Sequence, residues 1–272
     1  MNSASRKVIL ITGASSGLGR ACAIALADAG YRVYAASRRP PQDLPACRPL
    51  AIDVDSDAAV DGAVAELLAL EPHIDVLINC AGFDIAGAIE DTTIDEARAQ
   101  FETNFFGTVR VVRALLPRLR AQGKGTILNI GSLVTQLPVP FQAYYCASKA
   151  ALESYSEALR FEVAPLGIRV VCIEPGNFAT GFTAQRRRVA GWTAASPYAA
   201  RSEASVAWME KDEINGLPPA RFAAQVRRIV EHNDRRFLHL AIAPIERVGL
   251  WLRALLPWRA YEALFSRLFH SR

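Results

Sequence analysis

Short apolar runs rich in β-branched residues alternate with helix-length amphipathic stretches through the first half of the chain. This alternation is typical of βαβ units, whose helices cover both faces of a parallel sheet. At 272 residues, 51% of them apolar, the chain can bury one large core, and no Gly/Ser-rich linker divides it. The sequence therefore predicts a single α/β domain over residues 1–272, a doubly wound parallel sheet of about seven strands with helices on both faces.

The same pattern places the individual elements. Strands are predicted at 8–12, 32–36, 49–52, 76–79, 125–130 and 169–174. Helices are predicted near 17–29, 56–70, 94–121, 143–164 and 218–231. The pattern is least regular from Pro175 to Pro219, after the sixth strand, where an open sheet presents its ligand crevice. We therefore expect residues 177–217 to form a lid over a substrate.

Composition narrows the function. The five cysteines include no C-x-x-C pair and the four histidines are scattered, so neither disulfides nor a metal site is predicted. The net charge of +4 is spread widely, and the basic run 186–188 lacks the interleaved aromatics of a nucleic-acid surface. We predict that this run is a solvated loop. Only seven residues precede the first apolar run, too few for a signal peptide, which favours a cytoplasmic location.

Segment 12–19, Thr-Gly-Ala-Ser-Ser-Gly-Leu-Gly, stands between the first predicted strand and the helix that follows it. Glycines allow a tight turn and close backbone approach, while free amides and the helix dipole favour an anion at such a place. The spacing G-x-x-x-G-x-G differs from the common dinucleotide-binding pattern. The segment therefore indicates a phosphate site, and an ordinary glycine-rich turn is the alternative.

The second predicted strand is followed by Ser37, Arg38 and Arg39, where NAD-binding domains usually place an acidic residue for the ribose hydroxyls. A guanidinium can instead pair with a 2′-phosphate through charged, forked hydrogen bonds. The sequence therefore predicts NADP(H) in preference to NAD(H). The alternative is that both arginines belong to a solvated loop.

Two further segments extend this predicted nucleotide site. Asp53 follows the third strand and could accept a hydrogen bond from the adenine amino group or cap the helix that begins near Ser56. Residues 79–82, Asn-Cys-Ala-Gly, end the fourth strand, where small side chains would let the backbone pass close to a cofactor. By itself, this segment could also be only a turn.

Tyr145 and Lys149 stand four residues apart at the start of a predicted helix, so both side chains lie on one face. A free tyrosine has a pKa near ~10, but a nearby ammonium and a cationic nicotinamide both favour the phenolate. Tyr145 could then act as a general acid or base. An exposed pair on a surface helix is the alternative.

Two polar residues complete the predicted catalytic group. Ser132 follows the fifth strand, and its hydroxyl could share a substrate oxygen with the phenol, although a lone serine there would more often belong to a turn. Asn104 lies within the long predicted helix 94–121 and is a poor helix former. It could bend the helix locally and hold a water molecule beside Lys149.

The order and spacing of these motifs closely resemble the short-chain dehydrogenase/reductase family, over roughly residues 7–180. The resemblance rests on T-G-x-x-x-G-x-G at 12–19, N-x-A-G at 79–82, Ser132, Y-x-x-x-K at 145–149 and P-G at 175–176. Within the family, segments 144–153 and 173–176 are most similar to the branch that includes 17β-hydroxysteroid and retinol dehydrogenases. The resemblance implies a Rossmann-like fold.

It also implies the roles of the site residues. Asn104, Ser132, Tyr145 and Lys149 would be the catalytic tetrad. The cofactor-binding residues would be Gly13, Ser15, Ser16, Gly17, Leu18, Gly19, Ser37, Arg38, Arg39, Asp53, Val54, Asn79, Ala81, Gly82, Tyr145, Lys149, Pro175, Gly176, Phe178 and Thr180. The implied reaction is pro-S hydride transfer between nicotinamide C4 and a carbonyl carbon, with Tyr145 supplying the proton and Asn104 serving a proton relay. A steroid- or retinoid-like ketone, aldehyde or alcohol would be the substrate.

Three other functions are compatible with parts of the pattern. A non-enzymatic NADP-sensing regulator would keep the glycine loop, and an NAD-dependent dehydrogenase of the same family would keep the tetrad. An extended relative acting as a nucleotide-sugar epimerase would normally carry G-x-x-G-x-x-G and a larger C-terminal domain. Four aromatic residues within the predicted lid align with no named steroid or retinoid pocket. They are Phe182, Trp192, Tyr198 and Trp208.

Residues 241–272 form an apolar C-terminal extension that arginines and Pro257 interrupt too often for a bilayer span. Packing in the core or in an interface is favoured, and we expect a homodimer or homotetramer. A lid over the substrate crevice is a second interpretation. The arginines at 247, 253, 259 and 267 keep peripheral contact with a membrane surface open as the third.

Overall fold

The computed structural model describes residues 6–232 and 236–270 and is built around one parallel sheet. Its strands in spatial order are β3 (Arg48–Ala51), β2 (Arg32–Ser37), β1 (Val8–Thr12), β4 (Val76–Asn79), β6 (Gly125–Ile130), β7 (Ile168–Pro175) and β9 (Leu238–Ala241). A second, two-stranded sheet pairs β5 (Ile85–Ala86) with β8 (Arg187–Arg188). The helices are α1 (Gly17–Asp28), α2 (Asp57–Leu70), α3 (Ile94–Phe101), α4 (Gly107–Gln122), α5 (Ala143–Val163), α6 (Ala199–Ile214), α7 (Pro219–Glu231), α8 (Pro244–Leu255) and α9 (Trp258–His270).

Helices cover both faces of the large sheet, because successive side chains of its buried strands point to opposite sides. In β1, Val8 and Leu10 join a core cluster that includes residues of α2, α4 and α5. Ile9 and Ile11 join the opposite cluster, which includes residues of α1 and α7. The prediction of a doubly wound parallel sheet of seven strands is thereby confirmed.

The order of the strands determines where a ligand can bind. From β1 the chain runs outward through β2 to β3, and it then returns to place β4 on the other side of β1. The helices that follow β1 and β4 therefore leave the sheet in different directions, which opens a crevice at the carboxyl ends of these strands.

The predicted helix 94–121 is divided in the structure. Between α3 and α4 lies a π-helical turn, Glu102–Phe106, with Asn104 buried at its centre. Single π-turns of this kind widen a helix locally and are frequent at functional sites. The structure thus shows an irregular turn at Asn104, and the predicted bend stays a prediction.

The predicted lid contains more regular structure than its sequence indicated. Within 177–217 lie strand β8 and the 16-residue helix α6. Strand β8 pairs with β5, so the segment predicted as a lid is hydrogen-bonded to the segment that follows β4.

The prediction that run 186–188 is a solvated loop is wrong for Arg186. Its side chain is only 1% exposed and pairs with the buried carboxylate of Asp84 at 2.6 Å and with Glu213 at 2.5 Å. Arg187 and Arg188 do lie exposed, but as a strand rather than a loop. A buried guanidinium needs such partners, because an unpaired charge is strongly disfavoured away from water.

The C-terminal extension forms the two helices α8 and α9. None of the residues of α8, all of which the structure describes, is buried, so packing in the core is excluded as its role. Within 6–232 and 236–270, no helix combines the length and the hydropathy needed to cross a bilayer.

Candidate active site

A cleft of about 1340 Å³ opens at the carboxyl ends of β1, β4, β6 and β7. Its volume exceeds the ~300–1,000 Å³ typical of a site for one small molecule, so a dinucleotide and a substrate could fit together. Most of the predicted cofactor residues line it, namely Gly13, Ser15, Ser16, Gly17, Leu18, Gly19, Ser37, Arg38, Arg39, Asp53, Val54, Ala81, Gly82, Tyr145, Lys149, Pro175, Gly176, Phe178 and Thr180. Ser132 also lines the cleft.

The glycine loop packs closely against the loop after β4 and against itself. Gly13 has φ +68°, and a Cβ there would lie 2.7 Å from the backbone nitrogen of Ala81. A Cβ on Gly19 would lie 2.4 Å from the carbonyl oxygen of Gly13. Helix α1 begins at Gly17, and its N-cap residue Ser16 makes no side-chain capping bond. The first amides of α1 and the helix dipole thus favour an anion such as a phosphate at this end of the cleft.

Thr12 holds the loop after β4 beside the glycine loop. Its hydroxyl oxygen accepts hydrogen bonds from the backbone amides of Cys80 at 3.1 Å and Ala81 at 3.3 Å. Asn79, in contrast, does not line the cleft. Its buried amide group donates to the side-chain oxygen of Asn129 at 2.8 Å, so it braces neighbouring strands beneath the site.

The end of β2 carries the residues that would discriminate between the two nicotinamide cofactors. Ser37 has a buried hydroxyl without a hydrogen-bond partner among the described residues. Buried polar atoms are normally hydrogen-bonded, so this hydroxyl is a candidate contact for a ligand. The guanidinium groups of Arg38 and Arg39 are exposed at the cleft, and in the described part of the chain neither makes an ion pair. Both arginines are therefore available to a phosphate.

Asp53 also lines the cleft, and the structure separates its two predicted roles. Ser56 is the N-cap of α2, where its hydroxyl accepts a hydrogen bond from the amide of Ala59 at 3.3 Å. Asp53 instead accepts one from the amide of Asp55 at 3.2 Å. Capping of α2 thus falls to Ser56, and Asp53 stays available to a ligand.

Tyr145 and Lys149 lie in the first turns of α5, facing the end of β6. Tyr145 and Ser132 both line the cleft, and the Ser132 side chain acts to lower the pKa of the phenol. The buried ammonium of Lys149 donates to the carbonyl oxygen of Ile130 at 2.8 Å. A Cβ on Gly82 would lie 3.7 Å from the Lys149 nitrogen, so the loop after β4 reaches the same place. The structure thus brings three of the four predicted catalytic residues together in the cleft.

Burial shifts the pKa values of Tyr145 and Lys149. It raises the pKa of Tyr145 well above its usual range, and the negative charge of Asp84 adds to this, while the Ser132 side chain acts in the opposite direction. Burial also lowers the pKa of Lys149. The expected stabilisation of the phenolate by Lys149 is therefore outweighed in the free protein. At neutral pH Tyr145 carries a proton that it can donate.

Asn104 occupies a different position from the other three. Its side-chain oxygen accepts from the amide of Phe83, and its side-chain nitrogen donates to the carbonyl of Phe83, both at 3.0 Å. The same nitrogen donates to the Ser148 hydroxyl at 3.2 Å. Asn104 therefore joins the loop after β4 to α5, directly below the cleft. The predicted water relay stays a prediction.

The end of β7 forms the next part of the cleft wall, and it is tied to α8. The backbone amide of Asn177 donates to a carboxylate oxygen of Glu246 at 2.7 Å, and the amide of Ala243 donates to the other oxygen at 2.6 Å. A Cβ on Gly176 would lie 2.2 Å from the carboxylate of Glu246. Glu246 could not be predicted as part of the site, because a single glutamate in an apolar helix gives no sign of a partner 69 residues earlier.

Apolar side chains of the lid complete the cleft beside Tyr145. The ring of Phe182 lies 6.1 Å from that of Tyr145, and Trp208 and Met209 of α6 line the same space. The other two unaligned aromatics lie outside it. Trp192 packs under the guanidinium of Arg188, and the Tyr198 hydroxyl donates to Glu90. This end of the cleft suits a bulky apolar ligand.

The buried carboxyl group of Glu174 is linked to Ser132 through Thr135. The Thr135 hydroxyl is within hydrogen-bond distance of both the Ser132 carbonyl, at 2.9 Å, and Glu174. Burial and the nearby charge of Glu153 raise the pKa of Glu174 to about 7, although Thr135 acts in the opposite direction. One hydroxyl proton cannot serve two acceptors, so a protonated Glu174 donating to Thr135 satisfies all three groups.

Glu174→Gln is therefore expected to remove a pH dependence of stability. The unfolded chain ionises this group near pH 4.5 but the folded protein only near pH 7, so the wild type loses stability as the pH rises between these values. From pH 5 to pH 8 the variant should gain on the order of 2 to 3 kcal/mol relative to the wild type. Denaturant unfolding across this range measures the difference. Glu157→Gln, at an exposed position of α5, is the control, and parallel curves for wild type and Glu174→Gln would contradict the assignment.

Residues 7–190 match the sequence profile of the short chain dehydrogenase family. The match includes the glycine loop, Ser132 and the Tyr145–Lys149 pair. The chain belongs to this family. It is therefore an oxidoreductase that binds a nicotinamide dinucleotide.

Comparisons with individual short-chain dehydrogenases extend this result. The chain is 40% identical over 232 residues to the 3-ketodihydrosphingosine reductase of Bacteroides thetaiotaomicron, covering 85% of this chain and 86% of that protein. The structure of a short-chain dehydrogenase from Streptomyces avermitilis superposes with a TM-score of 0.80 and 33% identity, over 97% of this chain and 99% of that one.

Related structures contain either cofactor. A member from Burkholderia phymatum in complex with NAD has a TM-score of 0.78 at 25% identity, covering 93% of this chain and 95% of that one. A member from Burkholderia cenocepacia in complex with NADP has a TM-score of 0.74, also at 25% identity, covering 95% and 96%. Membership of the family thus leaves the choice between NAD and NADP to the residues of this chain.

Proposed function

We propose that the protein is an NADP(H)-dependent reductase that interconverts a bulky apolar ketone or aldehyde and the corresponding alcohol. The observation that carries this proposal is that Tyr145 and Ser132 line the same cleft, next to the apolar side chains of the predicted lid. A protonated phenol and a serine hydroxyl can both donate to one carbonyl oxygen, which is the arrangement that stabilises a developing oxyanion.

The residues of the chain have separate tasks in this reaction. When bound, the nicotinamide supplies or accepts a hydride. Tyr145 donates its phenolic proton to the substrate oxygen during reduction, and Ser132 donates a hydrogen bond to the same atom. Lys149 would bind the nicotinamide ribose from its buried position. Asn104, through its bonds to Phe83 and Ser148, holds the loop after β4 and α5 at a fixed separation.

The exposed guanidinium groups of Arg38 and Arg39 support NADP(H) in preference to NAD(H). Together with the unpartnered Ser37 hydroxyl, they offer forked donors to a 2′-phosphate where an acidic residue would repel it. A cytoplasmic pool of NADPH would make reduction the usual direction. The cytoplasmic location and a homodimer or homotetramer stay predictions from the sequence.

The substrate we favour is a long-chain 3-keto lipid or a compound of similar bulk. The 3-ketodihydrosphingosine reductase of Bacteroides thetaiotaomicron, which is 40% identical over most of both chains, points to a ketone of this class. The aromatic and aliphatic side chains of Phe182, Trp208 and Met209 provide an apolar wall for such a chain. A steroid- or retinoid-like ketone would use the same wall and is the second candidate.

Replacing Arg38 with alanine tests the cofactor assignment. The dissociation constant for NADPH should rise about 10-fold or more because a charged hydrogen bond of about 1.5 to 3 kcal/mol is lost, while that for NADH should change little. Fluorescence titration with both cofactors measures this ratio, followed by turnover of long-chain, steroid, retinoid and aryl carbonyls. Arg98→Ala, an exposed arginine of α3, is the control.

The titration and the turnover assay also separate the alternatives. Equal loss of NADPH and NADH affinity in Arg38→Ala would contradict a 2′-phosphate contact and favour an NAD-dependent dehydrogenase. Tight NADPH binding with no turnover of any carbonyl would instead favour the NADP-sensing regulator.

A further inference from the structure

Helix α8 presents an apolar face that the described residues of the chain leave exposed. Ile245 is 76% exposed, Trp251 is 61% exposed and Leu255 is 81% exposed. Trp258 and Leu264 of α9 are also exposed. The residues that we call the α8–α9 surface are Ile245, Val248, Trp251, Leu252, Leu255, Trp258 and Leu264. Seven large apolar side chains exposed on two neighbouring helices are more typical of an interaction surface than of ordinary solvent contact.

The spacing of these residues shows that one side of α8 is built for such contact. Positions 245, 248, 252 and 255 recur at intervals of three and four, which places them along one helical face. Glu246 and Gly249 lie on the other side, where both line the catalytic cleft. Glu246 also fixes α8 to the backbone at Asn177. The apolar face therefore points away from a helix that is anchored to the active site.

Helix α9 packs against α8. The guanidinium of Arg253 lies 5.9 Å from the ring centre of Trp258 and 5.6 Å from that of Tyr261. Tyr261 is buried and stacks on Phe265 at 5.3 Å, and Phe265 in turn lines the cleft. The two helices thus contribute to the cleft, through Gly249 and Phe265, and also form the α8–α9 surface.

The charges on the two helices indicate what covers this surface. Residues 244–267 contain four arginines and two glutamates, and one of these glutamates, Glu246, is turned inward against Asn177. Only Glu262 then remains as an exposed acid beside exposed arginines such as Arg247 and Arg259. Two copies pairing through this face would bring like charges together. Exposed apolar residues, tryptophans and an excess of arginines over acidic residues are typical of helices that lie in the interface of an anionic membrane.

The geometry points to membrane docking of this enzyme: the α8–α9 surface binds an anionic lipid surface, and an apolar ketone passes from the lipid into the cleft beside Gly249 and Phe265. The identity of the molecule that enters the cleft rests on the proposed function, which takes the substrate to be a bulky apolar carbonyl compound. The binding of the protein to lipid does not depend on that assignment.

Vesicle sedimentation tests the docking directly. The full chain is mixed with vesicles of phosphatidylcholine alone or of equal parts phosphatidylcholine and phosphatidylglycerol. We expect binding to the mixed vesicles, weaker binding to the neutral ones, and release at high salt because the arginine contribution is screened. The double variant Trp251→Glu, Leu255→Glu should bind about tenfold less or weaker still, because two apolar contacts are lost. Leu70→Glu, at a residue of α2 that is 58% exposed, is the matched control and should bind like the wild type.

A measurement of the subunit count separates membrane docking from pairing between two copies of the chain. Light scattering without vesicles reports the subunit count of each variant. If the wild type does not sediment with either vesicle, and the double variant dissociates a wild-type oligomer, the α8–α9 surface is a subunit interface and the proposal is overturned. Equal sedimentation of the wild type and the double variant would overturn it as well.

Activity assays separate failure of docking from failure of the proposed function. The double variant should reduce a short, water-soluble ketone at the wild-type rate but lose activity toward a long-chain ketone dissolved in the mixed vesicles. If the wild type reduces neither ketone yet sediments with the vesicles, the proposed substrate class fails while docking stands. If the wild type reduces both ketones without sedimenting, docking fails while the proposed function stands.

Discussion

Tyr145→Phe should lower the rate of carbonyl reduction by about 10²- to 10⁴-fold while the variant still folds and binds NADPH. The expected loss follows from the position of the phenol, which lines the cleft together with Ser132 and is the proton donor of the proposed reaction. Phenylalanine keeps the ring and its contact with Phe182 but has no proton to donate. Steady-state turnover of the best carbonyl substrate and fluorescence titration with NADPH measure the two effects separately.

The neighbouring residue provides a matched control. Tyr144→Phe removes a hydroxyl one position away that does not line the cleft, so its turnover should equal that of the wild type. Equal losses in the two variants would show that the substitutions disturb α5 rather than remove a catalytic proton. Full activity of Tyr145→Phe would contradict its assignment as the acid.

The pH dependence of the wild type gives an independent readout of the same group. Because burial raises the pKa of Tyr145, the phenol stays protonated throughout the neutral range in the free enzyme. The kcat/KM for reduction should therefore be flat near neutral pH and fall only in alkaline solution. Oxidation of the alcohol needs the phenolate, so its kcat/KM should rise with pH over the same alkaline range.

Much of the fold and the cofactor end of the site could be predicted because their signals are local. The apolar strands β1 and β4 are buried on both faces, so nearly every residue in them is apolar. The glycines of the first loop are needed for backbone geometry at their own positions, as the 2.7 Å approach of Gly13 to Ala81 shows. Local requirements of this kind leave a mark on the sequence itself.

Helix α6 and strand β9 could not be predicted, because their inward positions are only partly apolar. Helix α6 buries Ser202 and Ser205 beside Val206 and Met209, which removes the apolar period that would identify an amphipathic helix. In β9, His239 and Ala241 are the buried residues, so a strand-like alternation of apolar and polar residues does not appear. Tertiary packing decides both elements.

Arg186 illustrates a second reason why sequence patterns fail. Its main partner, Asp84, lies 102 residues earlier, and Glu213 lies 27 residues later. Three consecutive arginines give no sign that one of them is buried in an ion-pair network and the other two are exposed. The side chain of Gln142, at the start of the helix that carries Tyr145, also donates to Asp84. The network thus joins the lid to the catalytic helix.

Arg186→Ala should therefore lower the free energy of unfolding by about 3 to 5 kcal/mol, the range found when one partner of a buried ion pair is removed. The loss arises because Asp84 stays buried without its cation, so the variant should recover part of its stability as the pH is lowered and this carboxylate takes up a proton. Arg188→Ala is the matched control two residues away. Its partner Glu203 is exposed, and less than about 1 kcal/mol should be lost.

Denaturant unfolding at neutral and at acidic pH distinguishes a buried from a solvated Arg186. Equal and small losses in the two variants would mean that the whole run 186–188 is solvated, as its composition suggests. A large loss that is confined to Arg186→Ala and is greater at neutral than at acidic pH would establish the buried pair. The companion variant Arg186→Ala, Asp84→Asn should then be more stable at neutral pH than Arg186→Ala alone, because the uncompensated buried charge has been removed along with its partner.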